Sequence, residues 1–278
     1  MSFRWGIYEK ALPAGLDWRA LLAGAAAAGY QFLEISIDES EERIARLEWG
    51  KGERRKLREA LAASEVTIDS MCLSAHRKYS LGSTSPLVRE RGLTLMKRAI
   101  DFAAEFGLRL VQVAGYDVFY EETTEATRNL FLENITRSAA WARESCIMLG
   151  LENVDSPVVD SITSALRYVE AADTPWFQLY PDVANLAAMG KDVSRELLSG
   201  GSHIVSLHLK DGRLGEIRRV PFGEGIVDFG AVFLALESIG YRGPFVVEMW
   251  NENGDEAIPA ATQARQWLTE KLSREKKT

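Results

Sequence analysis

The feature that most constrains this chain is a repeat of pattern, not of residues. A short apolar run, a polar loop and a longer stretch with helical spacing follow one another from end to end, which is the signature of βα units. WGIY (5–8) reads as the first strand, followed by Trp18, Leu21, Leu22 and Ala25 at helical spacing, with Gly29 placed to stop the helix. Further strands are expected at FLEISI (32–37), VTIDSMCL (66–73), LVQVAG (110–115), IMLGLEN (147–153), FQLYPD (177–182), IVSLHLKD (204–211) and FVVEMW (245–250). Ser85-Pro86 suits the start of a long helix that runs to Phe106 and ends at Gly107, and helices are expected to begin near Asp160, Asp192 and Asp228 as N-caps. Eight strands with intervening helices can close into a (β/α)8 barrel or lie in an open doubly wound sheet, and the pattern alone admits both.

A length of 278 residues is near the usual size of one such barrel. No linker, low-complexity segment or composition break divides the chain, so a single domain over 1–278 is expected, with the charged tail Ser273 to Thr278 as the only candidate for disorder.

Charged residues recur at one kind of place. Glu152 (GLEN), Asp182 (YPDV), His208 (SLHLKD) and Glu248 (VVEMW) each lie at or just past the end of an apolar strand, on four consecutive strands. Charge inside apolar strand segments is costly to bury unless it is paired or bound to a metal. Taken singly, each residue has a bland explanation: an ion pair with Lys or Arg for the glutamates, a hydrogen-bonded core position for His208. Repetition at equivalent strand ends favours a divalent ion, because the C-terminal ends of barrel strands converge on one face. Carboxylates suit Mn and Mg, and the imidazole also admits Zn and Co. A cation flanked by two carboxylates is suited to proton abstraction beside a carbonyl.

Composition narrows the alternatives. The net charge of -7 argues against a nucleic-acid partner, and the cluster Arg54, Arg55, Lys56, Arg58 has Glu53 and Glu59 interleaved, as on a solvated helix face. The glycines of VPFGEGIVDF do not have the strand-to-helix spacing of a dinucleotide site. Cys72 and Cys146 have no redox or metal spacing and are expected to be buried free thiols. MSFRWGIYEK has no basic segment followed by an apolar run, and no stretch is long enough to span a bilayer, so a cytoplasmic protein without membrane partners is expected.

GIYEKALP, MCLSAHRKYSLGS, AGYDVFYEE, PWFQLYPDVANLAA, HIVSLHLKD, VPFGEGIVDF and GPFVVEMW together resemble the L-ribulose-5-phosphate 3-epimerase family of ascorbate utilisation, also called L-xylulose-5-phosphate 3-epimerases, over nearly the whole chain. The resemblance implies a xylose-isomerase-like TIM barrel, and so selects barrel over open sheet. It also implies that Glu152, Asp182, His208 and Glu248 hold the metal, that the metal engages the C2 carbonyl and C3 hydroxyl oxygens, and that Glu152 and Glu248 exchange the C3 proton from opposite faces through a cis-enediolate. A homodimer is implied as well.

For a phosphorylated ketose, anion donors are sought in the loops after strands three and seven. His76 and Lys210 are favoured there over Arg77, Lys78 and Arg213, with backbone N–H groups of 80–83 or 223–225 as further candidates. Asn185 is placed to face the substrate by similarity to related ketose epimerases, and Tyr8, Glu9, Glu34, Tyr116 and Trp250 are candidates to line the pocket. The chain departs from the family at LENVDSP and at KDGRLGEIRR, and the second departure bears on substrate choice. The competing functions are an aldose-ketose isomerase of the hexulose phosphate or hydroxypyruvate type, an epimerase of a free ketose, a repair endonuclease and a sugar-binding protein without turnover. With three histidines and an acidic balance the chain lacks the extra ligands and basic groove an endonuclease needs.

Overall fold

The computed structural model describes residues 3–251 and 254–275. In chain order its elements are β1 (Trp5–Tyr8), α1 (Trp18–Ala27), β2 (Phe32–Ser36), α2 (Glu41–Ala45), α3 (Lys51–Ala62), β3 (Thr67–Cys72), α4 (Pro86–Phe106), β4 (Leu110–Ala114), α5 (Glu125–Glu144) and β5 (Met148–Glu152). There follow α6 (Ile162–Ala172), β6 (Phe177–Leu179), α7 (Val183–Ala188), α8 (Val193–Gly200), β7 (Leu207–Leu209), β8 (Asp211–Arg213), β9 (Glu216–Val220), α9 (Phe229–Ser238), β10 (Phe245–Val247) and α10 (Gly254–Glu275). Eight of the strands form one sheet in the order β6-β5-β4-β3-β2-β1-β10-β7, and a parallel bridge from Asp182, just past β6, to His208 of β7 links its two ends. This is the strand order of a (β/α)8 barrel, with β10 as its eighth strand.

Local chemistry explains where the helices start and stop. Asp17 caps α1 by accepting from the Ala20 N–H at 2.9 Å, and Asp192 and Asp228 cap α8 and α9 in the same way. The cap of α6 is Ser161, not Asp160: Ser161 and Ser164 form a reciprocal capping box, and Asp160 accepts from the Ser164 hydroxyl at 3.1 Å. Ser85 occupies the N-cap position of α4 without a side-chain bond, Pro86 fits the first turn, and Gly107 ends the helix at φ 74°. Of the charged tail, residues 273–275 continue α10, and 276–278 lie outside the described residues.

Contacts divide the chain into two compact units, 1–34 with 55–68 and 181–278, and 35–54 with 69–180. In the first, β1 pairs in parallel with β2 (Tyr8 opposite Glu34) and with β10 (Ile7 opposite Val247), and β10 pairs with β7 (Val246 opposite His208, Val247 opposite Leu209). Phe32, Leu33, Phe245, Val246 and Leu207 are buried here, as expected of parallel strands covered on both faces. In the second, β3, β4, β5 and β6 pair in parallel, with Cys72 opposite Gln112 and Ala114 opposite Glu152. Its core is built on Val111, Val113, Leu149, Leu151 and Phe177 from the strands and Phe102 and Phe131 from the helices.

Two further expectations need correction. KDGRLGEIRR, expected as a loop, folds as the antiparallel hairpin β8–β9 with Leu214-Gly215 at its tip and Gly215 at φ 72°. Cys72 is a buried free thiol as expected, but Cys146 is exposed, because it sits in the turn between α5 and β5 with φ 55°. Among the described residues, no helix is long and apolar enough to cross a membrane.

Candidate active site

In the first unit, strand register assembles the site. Val247 lies opposite Leu209, so the next residue of each strand, Glu248 and Lys210, emerge side by side, and the Glu248 N–H donates to the Leu209 carbonyl at 3.0 Å. The Lys210 ammonium lies 2.8 Å from Glu248 Oε2 and 2.6 Å from Asp182 Oδ2, and it donates to Asn185 Oδ1 at 3.1 Å. Asp182 divides its carboxylate between two tasks: Oδ1 accepts the Asn185 N–H at 2.8 Å and so caps α7, while Oδ2 faces Lys210. All four side chains are buried. Burial by itself would push the Glu248 carboxyl up, but the charge and hydrogen bond of Lys210 outweigh that effect and hold it down at about 2.

His208 turns its two ring nitrogens to different partners. Nε2 lies 2.6 Å from Glu34 Oε1, with neither side chain exposed. Nδ1 faces Asp182 Oδ2 at 3.9 Å and Glu248 Oε2 at 3.7 Å. Those separations are too long for hydrogen bonds and are of the size found between donor atoms that share one cation. Around this group, the Tyr8 ring lies 6.3 Å from the His208 ring and 6.0 Å from that of Trp250. Trp250 carries Lys210 Nζ at 5.4 Å and the Arg218 guanidinium at 5.6 Å over its ring.

In the second unit, Glu152 ends β5, and the Gln112 side-chain amide of β4 donates to its carboxylate. The chain past β4 is drawn against β5 by a bond from the Gly115 N–H to the Glu152 carbonyl at 3.0 Å. A Cβ at Gly115 would stand 2.6 Å from that same carbonyl oxygen, so glycine is required there. Tyr116 packs with Ala114 and Val154 and donates to Asp155. Its hydroxyl is pushed well above the ordinary tyrosine range, first by burial and then by Asp155.

Glu152, Asp182, His208 and Glu248 each offer a ligand atom, these atoms lie within 4.8 Å of one another, and all four residues are buried, so the set can hold a metal ion. The donor chemistry fits a divalent cation. Two buried carboxylates, Asp182 and Glu248, meet one ammonium, which leaves negative charge to be offset, and His208 Nδ1 adds a nitrogen donor.

The expected anion contacts fare differently. His76 is buried, with Nε2 3.1 Å from the Gly92 carbonyl, and burial lowers its pKa to about 4 against the partial opposing effect of that carbonyl. That contact ties the turn after β3 to α4, and a ring uncharged at neutral pH would meet a phosphate only as a neutral donor. The backbone donors sought at 223–225 are already used: the Gly223 and Gly225 N–H groups donate to the Asp211 carboxylate at 2.9 and 3.0 Å. In the 80–83 stretch, Gly82 N–H donates to Asp117 and Ser83 N–H to Ser80. Lys78 pairs with Glu41, Arg213 pairs with Glu216 and Glu224, and Arg77 lies over the rings of Tyr116 and Phe119. Gln112 and Arg218 emerge as neighbours of these residues only in the structure. Gln112 carries the signal used for the acids, a polar residue inside an apolar strand, whereas Arg218 is recognisable only once the hairpin is known.

Comparison with known proteins agrees with this geometry. The family model described as xylose isomerase-like TIM barrel matches residues 22–271, and the chain belongs to that family. A curated relative from Escherichia coli, L-ribulose-5-phosphate 3-epimerase UlaE, is 44% identical over 269 residues, covering 97% of this chain and 95% of the relative. That identity places the chain among the L-ribulose-5-phosphate 3-epimerases, carbohydrate epimerases of the isomerase class. Among solved structures, an L-ribulose 3-epimerase superposes with a TM-score of 0.80 at 19% identity, covering 99% of this chain and 96% of the other. A D-allulose 3-epimerase from Methylomonas sp. superposes with a TM-score of 0.78 at 20% identity, covering 98% of this chain and 99% of the other. At those identities the structural likeness speaks for the fold.

Proposed function

We propose that this protein inverts C3 of a ketopentose 5-phosphate, interconverting L-ribulose 5-phosphate and L-xylulose 5-phosphate. The observation that carries the proposal is the buried set Glu152, Asp182, His208 and Glu248, in a chain 44% identical to an enzyme named for that reaction. Glu152, Asp182, His208 and Glu248 would hold a divalent ion, which would supply positive charge to stabilise the anion formed when C3 loses its proton. One glutamate accepts that proton, the C–H electron pair forms the C2–C3 double bond of a cis-enediolate, and the C2 oxygen takes up the negative charge. The other glutamate returns a proton to the opposite face of C3, and the carbonyl re-forms. Glu248 is ionised at neutral pH and can therefore act as base.

Tyr8, Asn185 and Lys210 are proposed as substrate contacts: the first through its ring beside His208, the others through N–H groups at the same carboxylates. With His76 uncharged and buried, Arg218 over Trp250 is the cation proposed for the phosphate. The family reading further carries a cytoplasmic homodimer acting in ascorbate degradation.

The test is to incubate metal-loaded protein with L-ribulose 5-phosphate in deuterated water and follow the C1 and C3 protons by NMR, with Glu152→Gln and Glu248→Gln as controls. Exchange at C3 with appearance of L-xylulose 5-phosphate, lost in both variants, is expected. Exchange at C1 with an aldose product would replace the epimerase by an aldose-ketose isomerase. Turnover of unphosphorylated L-ribulose in preference to the phosphate ester would move the substrate to a free ketose.

A further inference from the structure

Glu34 is a buried carboxylate that the proposed chemistry does not use. It lies in β2, opposite Tyr8 of β1, is fully buried, and is not among the four residues whose ligand atoms cluster. Its Oε1 stands 2.6 Å from His208 Nε2.

We infer that Glu34 is a positioning residue that sets the metal affinity of the site by fixing the tautomer and orientation of His208. A carboxylate has no hydrogen to give, so a contact of this length needs the ring hydrogen on Nε2. The other neutral tautomer would set the Nε2 lone pair against the Glu34 oxygen at 2.6 Å, in a place without water. With the hydrogen held on Nε2, the Nδ1 lone pair is directed to the space it shares with Asp182 Oδ2 and Glu248 Oε2, 3.9 and 3.7 Å away. The negative charge behind the ring also raises the donor strength of Nδ1. Partners of this kind behind a ligating histidine typically change metal affinity by about 10- to 100-fold when removed. The inference rests on the metal site of the proposed function and not on the identity of the sugar.

The experiment titrates metal-free full-length protein with Mn2+, reading free ion by its paramagnetic resonance signal, for wild type, Glu34→Gln and Glu34→Asp. In parallel, the ring nitrogens of the three histidines are followed by 15N NMR, with His208→Gln to assign the resonances. Glu34→Gln should weaken Mn2+ binding by about 10-fold or more, and Glu34→Asp, which keeps the charge but withdraws the oxygen, should fall between it and wild type. In the metal-free wild type, His208 should carry its hydrogen on Nε2, and that preference should be lost in Glu34→Gln. Equal affinities of wild type and Glu34→Gln would overturn the inference, as would a wild-type ring with Nδ1 protonated and Nε2 bare; the latter needs no variant to fold. A wild type that takes up no ion would remove the metal site and the inference with it. Metal binding that depends on Glu34 in a protein inactive on L-ribulose 5-phosphate would leave the inference standing and overturn only the substrate.

Discussion

Replacing Lys210 by Met probes the electrostatics of the site with little change of volume. The ammonium bridges Asp182 and Glu248 at 2.6 and 2.8 Å in a place closed to water. Removing one partner from a buried ion pair costs about 3–5 kcal/mol, because the remaining charge is left without compensation. The Glu248 carboxyl gives a second route to the magnitude: holding it at about 2 in place of its ordinary 4.5 corresponds to about 3 kcal/mol. Because the folded-state pKa is depressed, this stabilisation is present above pH 4.5 and is lost as the pH falls through about 2. Metal-free Lys210→Met should therefore unfold about 3 kcal/mol more easily than wild type at pH 7, which at a urea slope of about 3 kcal/mol per molar moves the midpoint by about 1 M. The gap should close between pH 4.5 and 2, where Glu248 takes up a proton in both proteins. It should also narrow with Mn2+, which supplies the missing positive charge and in wild type must contend with the ammonium for the same oxygens. The assay is urea unfolding with and without Mn2+ over that pH range. A variant with the wild-type midpoint at pH 7, or a gap that persists unchanged at low pH, would refute the claim that Lys210 compensates the two acids.

His76 should make stability fall in mild acid: with its pKa lowered to about 4 from 6.5, the folded state is favoured fully above pH 6.5 and progressively less toward pH 4. The loss by pH 5 should be about 2 kcal/mol, and His76→Gln should remove that component, as read from urea midpoints at pH 7.5 and 5; parallel pH profiles would contradict it. Asp211 accepts from the N–H groups of Gly212, Gly223, Gly225 and Val227. Asp211→Ala should therefore cost about 3 kcal/mol or more and raise hydrogen exchange at those four amides, and unchanged exchange would show the loop to be held by other means. A Cβ at Gly225 would stand 2.0 Å from Asp211 Oδ1, so Gly225→Ala should destabilise the same loop in thermal melts, whereas Gly52→Ala, in open space within α3, should not.

Strand placement was legible in the sequence because parallel strands buried on both faces read as apolar runs, and because residues such as Gly107 and Asp228 mark helix ends by their own backbone chemistry. The same contrast exposed Glu152, Asp182, His208 and Glu248, since charge inside an apolar strand stands out without any knowledge of neighbours. The number of strands did not choose a closed barrel over an open sheet, for local pattern carries no record of which distant strand is paired. Family resemblance supplied that choice, and the Asp182–His208 bridge is its physical counterpart. What only the tertiary structure decided were the partners. Lys210 looked like a loop cation and lies between two acids, His76 looked like an anion contact and is buried with Nε2 against the Gly92 carbonyl, and Glu34 looked like pocket lining and faces Nε2 of His208. A side chain's charge and role in a buried site depend on groups that the fold brings beside it from 16 to 174 residues away, and no short window along the sequence contains them.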